Sequence, residues 1–175
     1  RYEMAFGNER MIGAGDWHSV GRSFDGGLLQ YKNDALSVNG FMNTLKENNK
    51  ANNDSTDEYL QGFYATYKVN ESLTADLYYF GENRFLNPHW LQTIGTYVKG
   101  SSDAVSYEVQ IAKQFGASTD KQDFAGLYFA GQVGYKLDDF QFNLGAEFIS
   151  GNKLVKDSTG FTTKIDGDIK QFQTN

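Results

Sequence analysis

An all-β, antiparallel up-and-down barrel is the fold class this sequence predicts, from three observations. Apolar and polar residues alternate with a period of two along most of the chain. The connections between the alternating stretches are by turns short and long. The composition also suits uninterrupted strand ladders. Residues 106–115 show the alternation: Tyr107, Val109 and Ile111 fall on one face of an extended strand, and Ser106, Glu108, Gln110 and Gln114 on the other. Among 175 residues there is one proline, which would remove a ladder donor, against 19 glycines, which suit bends and close strand approach. There is no cysteine, so disulfides, thiolate zinc sites and thiol nucleophiles are excluded.

About ten strands are expected, with boundaries good to a few residues. They lie near 1–7, 23–32, 35–46, 57–69, 72–81, 90–99, 104–116, 123–137, 139–150 and 163–172. Tight connections fall at Lys32-Asn33-Asp34-Ala35, at Val69-Asn70-Glu71-Ser72, from Lys99 to Ala104, and at Leu137-Asp138-Asp139-Phe140. Asn, Asp, Gly and Ser suit them because they tolerate the positive φ of hairpin turns. Longer polar stretches, 8–22, 47–56, 82–89, 117–122 and 151–162, alternate with them.

The faces are legible on several strands. Leu73, Ala75, Leu77 and Tyr79 oppose Ser72, Thr74, Asp76 and Tyr78; Tyr59, Phe63, Ala65, Tyr67 and Val69 share a face with Gln61 as the exception. Ala125, Leu127, Phe129, Val133 and Tyr135 form one side of their strand. Phe140, Phe142, Leu144, Ala146 and Phe148 lie opposite Gln141, Asn143, Gly145 and Glu147. In 23–32 the pattern is ambiguous, since Phe24 and Leu28 oppose Leu29 and Tyr31.

Mean hydropathy is −0.56 and no run of about 18 apolar residues exists to form a membrane helix. A transmembrane strand needs only about 9–11 residues, every second one apolar, so this does not exclude a membrane barrel. Sorted loops are expected there, with short turns at the periplasmic end and long loops outside. Tyr67, Tyr79, Tyr97, Phe115, Tyr135 and Phe140 are placed as an aromatic girdle at the lipid boundary. A soluble ligand-binding barrel with the aromatics inside is the alternative. The net charge of −6 argues against a nucleic-acid partner.

The richest chemistry lies in 9–25, where Glu9, Arg10, Asp16, Trp17, His18, Arg22 and Asp25 share one connection. Such a set can form a lumen-side constriction whose charges set the field for solutes, or a salt-bridge network that folds the loop. Arg1, Glu3, Asp76, Glu108, Lys136 and Glu147 are lumen candidates by alternation, and with Lys68 they mix both signs. His18 and His89 lack metal-ligand spacing, and the acidic stretches 54–58 and 157–168 lack EF-hand order, so no metal and no cofactor is expected. Glu108 and Glu147 as paired glycosidase carboxylates are less favoured than as wall residues, and there is no Gly-x-Ser-x-Gly elbow or phosphate-cradling loop, so no enzyme is expected. Trp17 and Trp90 suit interface anchors.

Tyr2-Glu3-Met4-Ala5-Phe6-Gly7-Asn8-Glu9-Arg10-Met11-Ile12-Gly13, then Asp16-Trp17 and Gly21-Arg22-Ser23-Phe24-Asp25-Gly26, resembles the alginate-export family of outer-membrane barrels. The stretches 57–80, 93–116 and 144–151 are similar to later strands of the family. The resemblance implies a porin-like transmembrane barrel of about eighteen strands, of which this chain supplies one segment with no second domain. It also makes Arg10, Asp16, Arg22 and Asp25 candidates for the constriction or its scaffold. The mixed-sign inner face departs from the arginine-crowded conduit that the family's alginate transporter resembles.

The expected function is an outer-membrane channel for diffusion or export of polar solutes, including anionic saccharides, through a charged lumen. A plugged barrel anchoring a complex of membrane proteins is the structural alternative. The opening Arg-Tyr-Glu-Met-Ala-Phe-Gly is already strand-like, so a mature or trimmed segment is expected, its signal peptide removed or not included. Expected partners are outer-membrane lipid, a small polar or saccharide solute, and other membrane proteins.

Overall fold

Every regular element in the described residues is a strand. The computed structural model describes residues 1–15, 21–46, 58–84, 89–118, 122–150, 153–156 and 162–165. The strands are β1 (Asp25–Lys32), β2 (Leu36–Lys46), β3 (Glu58–Asn70), β4 (Leu73–Arg84), β5 (His89–Ser102), β6 (Val105–Ser118), β7 (Gln122–Leu137), β8 (Phe140–Ile149), β9 (Lys153–Lys156) and β10 (Thr162–Ile165). From β1 to β8 each strand pairs antiparallel with the one before it, so sequence order is sheet order. This is the up-and-down arrangement expected, and the sheet is open among the described residues.

Two expectations change. Residues 1–7 do not form a strand: Tyr2 makes a single bridge to Phe24, after which the chain turns back on itself. Part of the expected loop 151–162 is strand. β8 and β9 occupy the same edge of β7 in one register, with Tyr128 opposite Ile149 and Phe124 opposite Lys153. The Ser150 amide donates to Leu127 O at 3.0 Å, which carries the pairing with β7 one residue past β8. β10 returns along β9; the rest of the expected strand 163–172 lies outside the described residues.

The tight turns form for local reasons. Asn33 Oδ1 accepts from the Ala35 and Leu36 amides at 3.0 and 2.7 Å, and Asn70 Oδ1 accepts from the Ser72 amide at 2.8 Å. These are Asx turns, in which a short side chain stands in for a backbone acceptor. Asp103 and Asp138 hold φ of 36° and 51° in the two later turns, a region Asp tolerates better than most residues.

The pleat sorts the side chains as the alternation requires. One face carries Leu29, Tyr31, Met42, Phe63, Tyr67, Leu77, Ile94, Ile111, Leu127, Phe129, Val133, Phe142, Leu144 and Phe148, all exposed. The ambiguity in β1 is thereby resolved: Leu29 and Tyr31 point out, while Phe24 is buried and Leu28 packs against the core. Tyr31, Tyr67, Tyr107, Tyr135 and Phe140 stand beside the tight turns on this outer face. At the opposite end Trp90 meets Phe115 edge-on at 6.4 Å. Tyr97 is a correction to the expected girdle. It lies on the inner face, only 6% exposed, because Gln110, its partner in register, also faces inward.

The inner face is more apolar than expected. Phe41, Leu60, Tyr64, Tyr78, Phe80, Leu91, Ala112 and Tyr128 are buried there together with Met4, Met11, Ile12 and Phe24. Tyr64 and Tyr78 stack at 5.6 Å, and Tyr78 and Phe80 at 5.0 Å. Gly95 makes room for this row, since a Cβ there would overlap the Tyr78 ring. Gly95→Val should therefore force Tyr78 out of register with its neighbours and cost about 1–3 kcal/mol. Denaturant unfolding of the full-length barrel measures it; an unchanged midpoint would show that the ring has space to move.

The inward loop and the wall it faces

The first fifteen residues cross the inner face rather than joining the sheet. Phe6 N donates to Ile12 O at 3.1 Å and Glu9 N to Phe6 O at 2.9 Å, closing a compact loop. The sequence permits it at particular points. Gly7 has φ of 58°, and a Cβ on it would overlap the Tyr64 hydroxyl, so only glycine suits the position. Glu9 takes φ of 60°, and its Oε2 accepts from the Ala14 amide at 3.2 Å.

The loop touches widely separated strands. Phe6 stacks on Tyr64 of β3 at 4.7 Å and on Phe41 of β2 at 5.8 Å. Asn8 Nδ2 donates to Gln110 Oε1 of β6 at 3.0 Å, and Arg10 Nη1 meets Glu147 Oε1 of β8 at 2.9 Å. Inner-face residues from β2 to β7 are buried in one cluster with Met4, Met11 and Ile12 of this short loop, so the sheet curls around it with its polar and aromatic face inward.

Behind the loop, hydrogen bonds run from wall to wall. Gln110 Nε2 donates to Tyr78 Oη at 3.1 Å, and Tyr64 Oη donates to Asp76 Oδ2 at 2.5 Å. Asp76 is buried, and its Oδ1 has no hydrogen-bond partner. Tyr97 Oη donates to Glu108 Oε2 at 2.7 Å. Arg10 is partly desolvated, which lowers its pKa, but Tyr128 and Glu147 beside it outweigh that and hold it above the ordinary value. Tyr2, whose hydroxyl donates to Asn43 Oδ1 at 2.5 Å, is raised by burial.

Between the loop and β5–β8 lies a recess of about 210 Å³, bordered by Asn8, Arg10, Tyr97, Glu108, Gln110, Gln132 and Glu147. A second, of about 600 Å³, continues toward the tight turns past Thr74, Lys99, Ser106, Gln141 and Asn143. Glu108 and Gln132 border both. A polar track thus follows the inner wall from the loop to the short-turn end.

Of the residues singled out by sequence, Arg10, Asp76, Glu108 and Glu147 come together on this wall. Arg1 and Asp25 instead bind one another, with contacts of 2.9 and 2.6 Å. Asp25 sits on the side of β1 that carries Leu29 and Tyr31, because Phe24 takes the inward position and the pleat turns its neighbour outward. Glu3 is exposed, with Oε1 directed toward Gly21. Arg22 is half-buried: its stem packs over Gly15, and its amide donates to Ala14 O at 2.5 Å. Lys136 is exposed at the short-turn end of β7, opposite Gln141. Asp16, Trp17 and His18 lie outside the described residues. Among the described residues no cluster of His, Asp or Glu is arranged to hold a metal ion.

Sequence reasoning missed Tyr97, Gln110 and Gln132 as wall residues; for Gln110 the alternation of 106–115 already carried the signal. A family model described as alginate export matches residues 1–175. Comparisons with curated proteins and with solved structures gave no match.

Proposed function

The chain belongs to the alginate-export family, a family of outer-membrane transport proteins rather than enzymes, and on that premise we propose that it forms part of the wall and the constriction of a porin-like channel for polar solutes. The outward Phe, Leu, Ile and Val side chains face lipid. The open sheet is completed by further strands of a larger barrel, of about eighteen in all. Solutes pass along the polar inner track by diffusion, selected by width and by the charges beside it.

The observation that carries this reading is the inward loop, pinned to the wall by Arg10–Glu147 and Asn8–Gln110 while a polar recess stays open beside it. Phe6, Met11 and Ile12 fill the wedge behind it, so the loop narrows the lumen from one side. Those buried contacts also favour a second reading, a plugged barrel that anchors other membrane proteins.

Planar-bilayer recording of the full-length barrel separates the two: a steady ion current supports the channel, and its absence supports the plug. In the channel, Arg10→Ala leaves Glu147 unbalanced, so the reversal potential should move toward cations, with a severalfold change in permeability ratio. Arg22→Ala, whose stem packs against Gly15, should change it little. An unmoved reversal potential in Arg10→Ala would demote Arg10 to scaffold.

A further inference from the structure

We propose that the outer face carries a headgroup site for a phosphorylated glycolipid, in which Lys113 takes the phosphate and Gln61, Tyr79 and Gln92 meet the sugar. This rests on the reading of that face as lipid-facing, and it adds which lipid is held there and by which residues.

Lys113 supplies the charge. It lies on the outer side of β6, opposite Ile94 of β5 and Leu127 of β7, on the same side as Ile111. It is exposed, and among the described residues it is the one charged side chain that β3 to β6 present on this face. Among those residues it makes no ion pair. A cation set among hydrocarbon is costly unless its stem carries the charge to the interface and an anion meets it there. The interface is near. Trp90 and Phe115, edge-on at 6.4 Å, stand at the long-loop end, and Lys113 precedes Phe115 by about 7 Å of strand. A lysine stem spans that gap, so the ammonium comes level with the rings. The anion abundant at that level of a bilayer is the lipid phosphate.

A polar surface lies beside the lysine. Gln61, Gly81 and Gln92 stand in one register row across β3, β4 and β5, and the row continues to Phe115, next to Lys113 on its face. Gly81 is buried because its neighbours fold over it: a Cβ there would lie 3.4 Å from the Tyr79 hydroxyl and 3.8 Å from Gln61 Nε2. Two amides and a phenol thus gather on a mainly apolar face, where hydrocarbon would leave them without partners. Gln61, the exception on its strand, has its reason here. Amides and a phenol both donate and accept, which matches the hydroxyl and N-acyl groups of an amino sugar.

The order along the strands suits an amphiphile. From the amides toward the short turns the same face continues as Phe63, Ile94 and Leu127, then as Leu77, Ile111 and Phe129. A lipid seated with its sugar and phosphate at the polar row lays its acyl chains along that slope. A water-soluble anion would gain nothing from the slope, and an acidic protein segment would find no second cation on β3 to β6 among the described residues.

The test is native mass spectrometry of the full-length barrel in detergent, offered phosphorylated lipid A, the same lipid A without phosphate, and phosphatidylglycerol. Flotation with vesicles of phosphatidylethanolamine and phosphatidylglycerol runs alongside. Phosphorylated lipid A should be retained severalfold more than either of the others. Lys113→Gln should lower that retention severalfold, whereas Lys113→Arg, which keeps the charge, should preserve it. Gln61→Leu combined with Gln92→Leu should lower lipid A and leave phosphatidylglycerol unchanged, which separates the sugar contacts from the phosphate contact. Heat-modifiable gel mobility confirms that each variant is folded. Equal retention of the three lipids by a barrel that floats overturns the inference alone, as does a Lys113→Gln or double-glutamine variant that keeps lipid A in full. A barrel that does not float with the vesicles overturns the lipid-facing reading itself.

Discussion

Replacing Gly7–Gly13 with two glycines should raise the single-channel conductance of the full-length barrel severalfold. That segment carries Asn8 and Arg10 to Gln110 and Glu147, and with them the part of the loop that the proposed channel puts in the solute path. Met4 and Phe6 stay in place, so the stack of Phe6 on Tyr64 still covers the inner row. The change also removes Met11 and Ile12 from burial, at about 1.5–3 kcal/mol each, and a lower unfolding midpoint should accompany the wider pore. The exposed ion pair of Arg10 with Glu147 adds little to that loss, since such pairs contribute about 0–1 kcal/mol. A destabilised barrel of unchanged conductance would mean that the loop only fills the wedge and that the narrowest point lies elsewhere.

Leu144→Arg should destabilise the full-length barrel by about 2–4 kcal/mol, the cost of a cationic side chain near the bilayer midplane. Leu144 stands in the middle of β8 on the outer face, opposite Val133, and is 81% exposed. Its neighbour supplies the control. Asn143 borders the larger inner recess, so Asn143→Arg should change stability by much less and act on solute selectivity. Urea unfolding in lipid vesicles measures both. Equal costs for the two variants would contradict the assignment of lipid and lumen faces.

Much of the sheet was legible because strand physics is local. A period of two places Phe140, Phe142, Leu144, Ala146 and Phe148 on one side wherever β8 is paired, and the register with β7 preserves that choice. Asn33, Asn70, Asp103 and Asp138 mark the tight turns through chemistry confined to two or three residues. Where the signal was weak, as in β1, two apolar pairs of opposite parity competed, and only contact with the core separated Phe24 and Leu28 from Leu29 and Tyr31.

The candidate site was legible as a list of residues but not as an arrangement. Residues 1–7 alternate like a strand, yet Gly7 and Glu9 turn the chain through positive φ and carry the segment across the inner face. Tyr97 reads as a girdle residue because an aromatic near a turn suits lipid and lumen equally; its parity within β5 sends it inward to Glu108. Arg1 and Asp25 read as lumen charges, but the pleat and the bridge from Tyr2 to Phe24 bring them together on the other side.

By itself, then, the sequence determined the strands, their tight turns and the greasy face, since each depends on residues a few positions apart. The tertiary structure decided where the first fifteen residues go, and with them which charges meet. Arg10 lies 137 residues from Glu147 and Asn8 lies 102 from Gln110. No local periodicity encodes such pairings. They follow only when the sheet curls and brings β6 and β8 to the loop that β2 and β3 already hold.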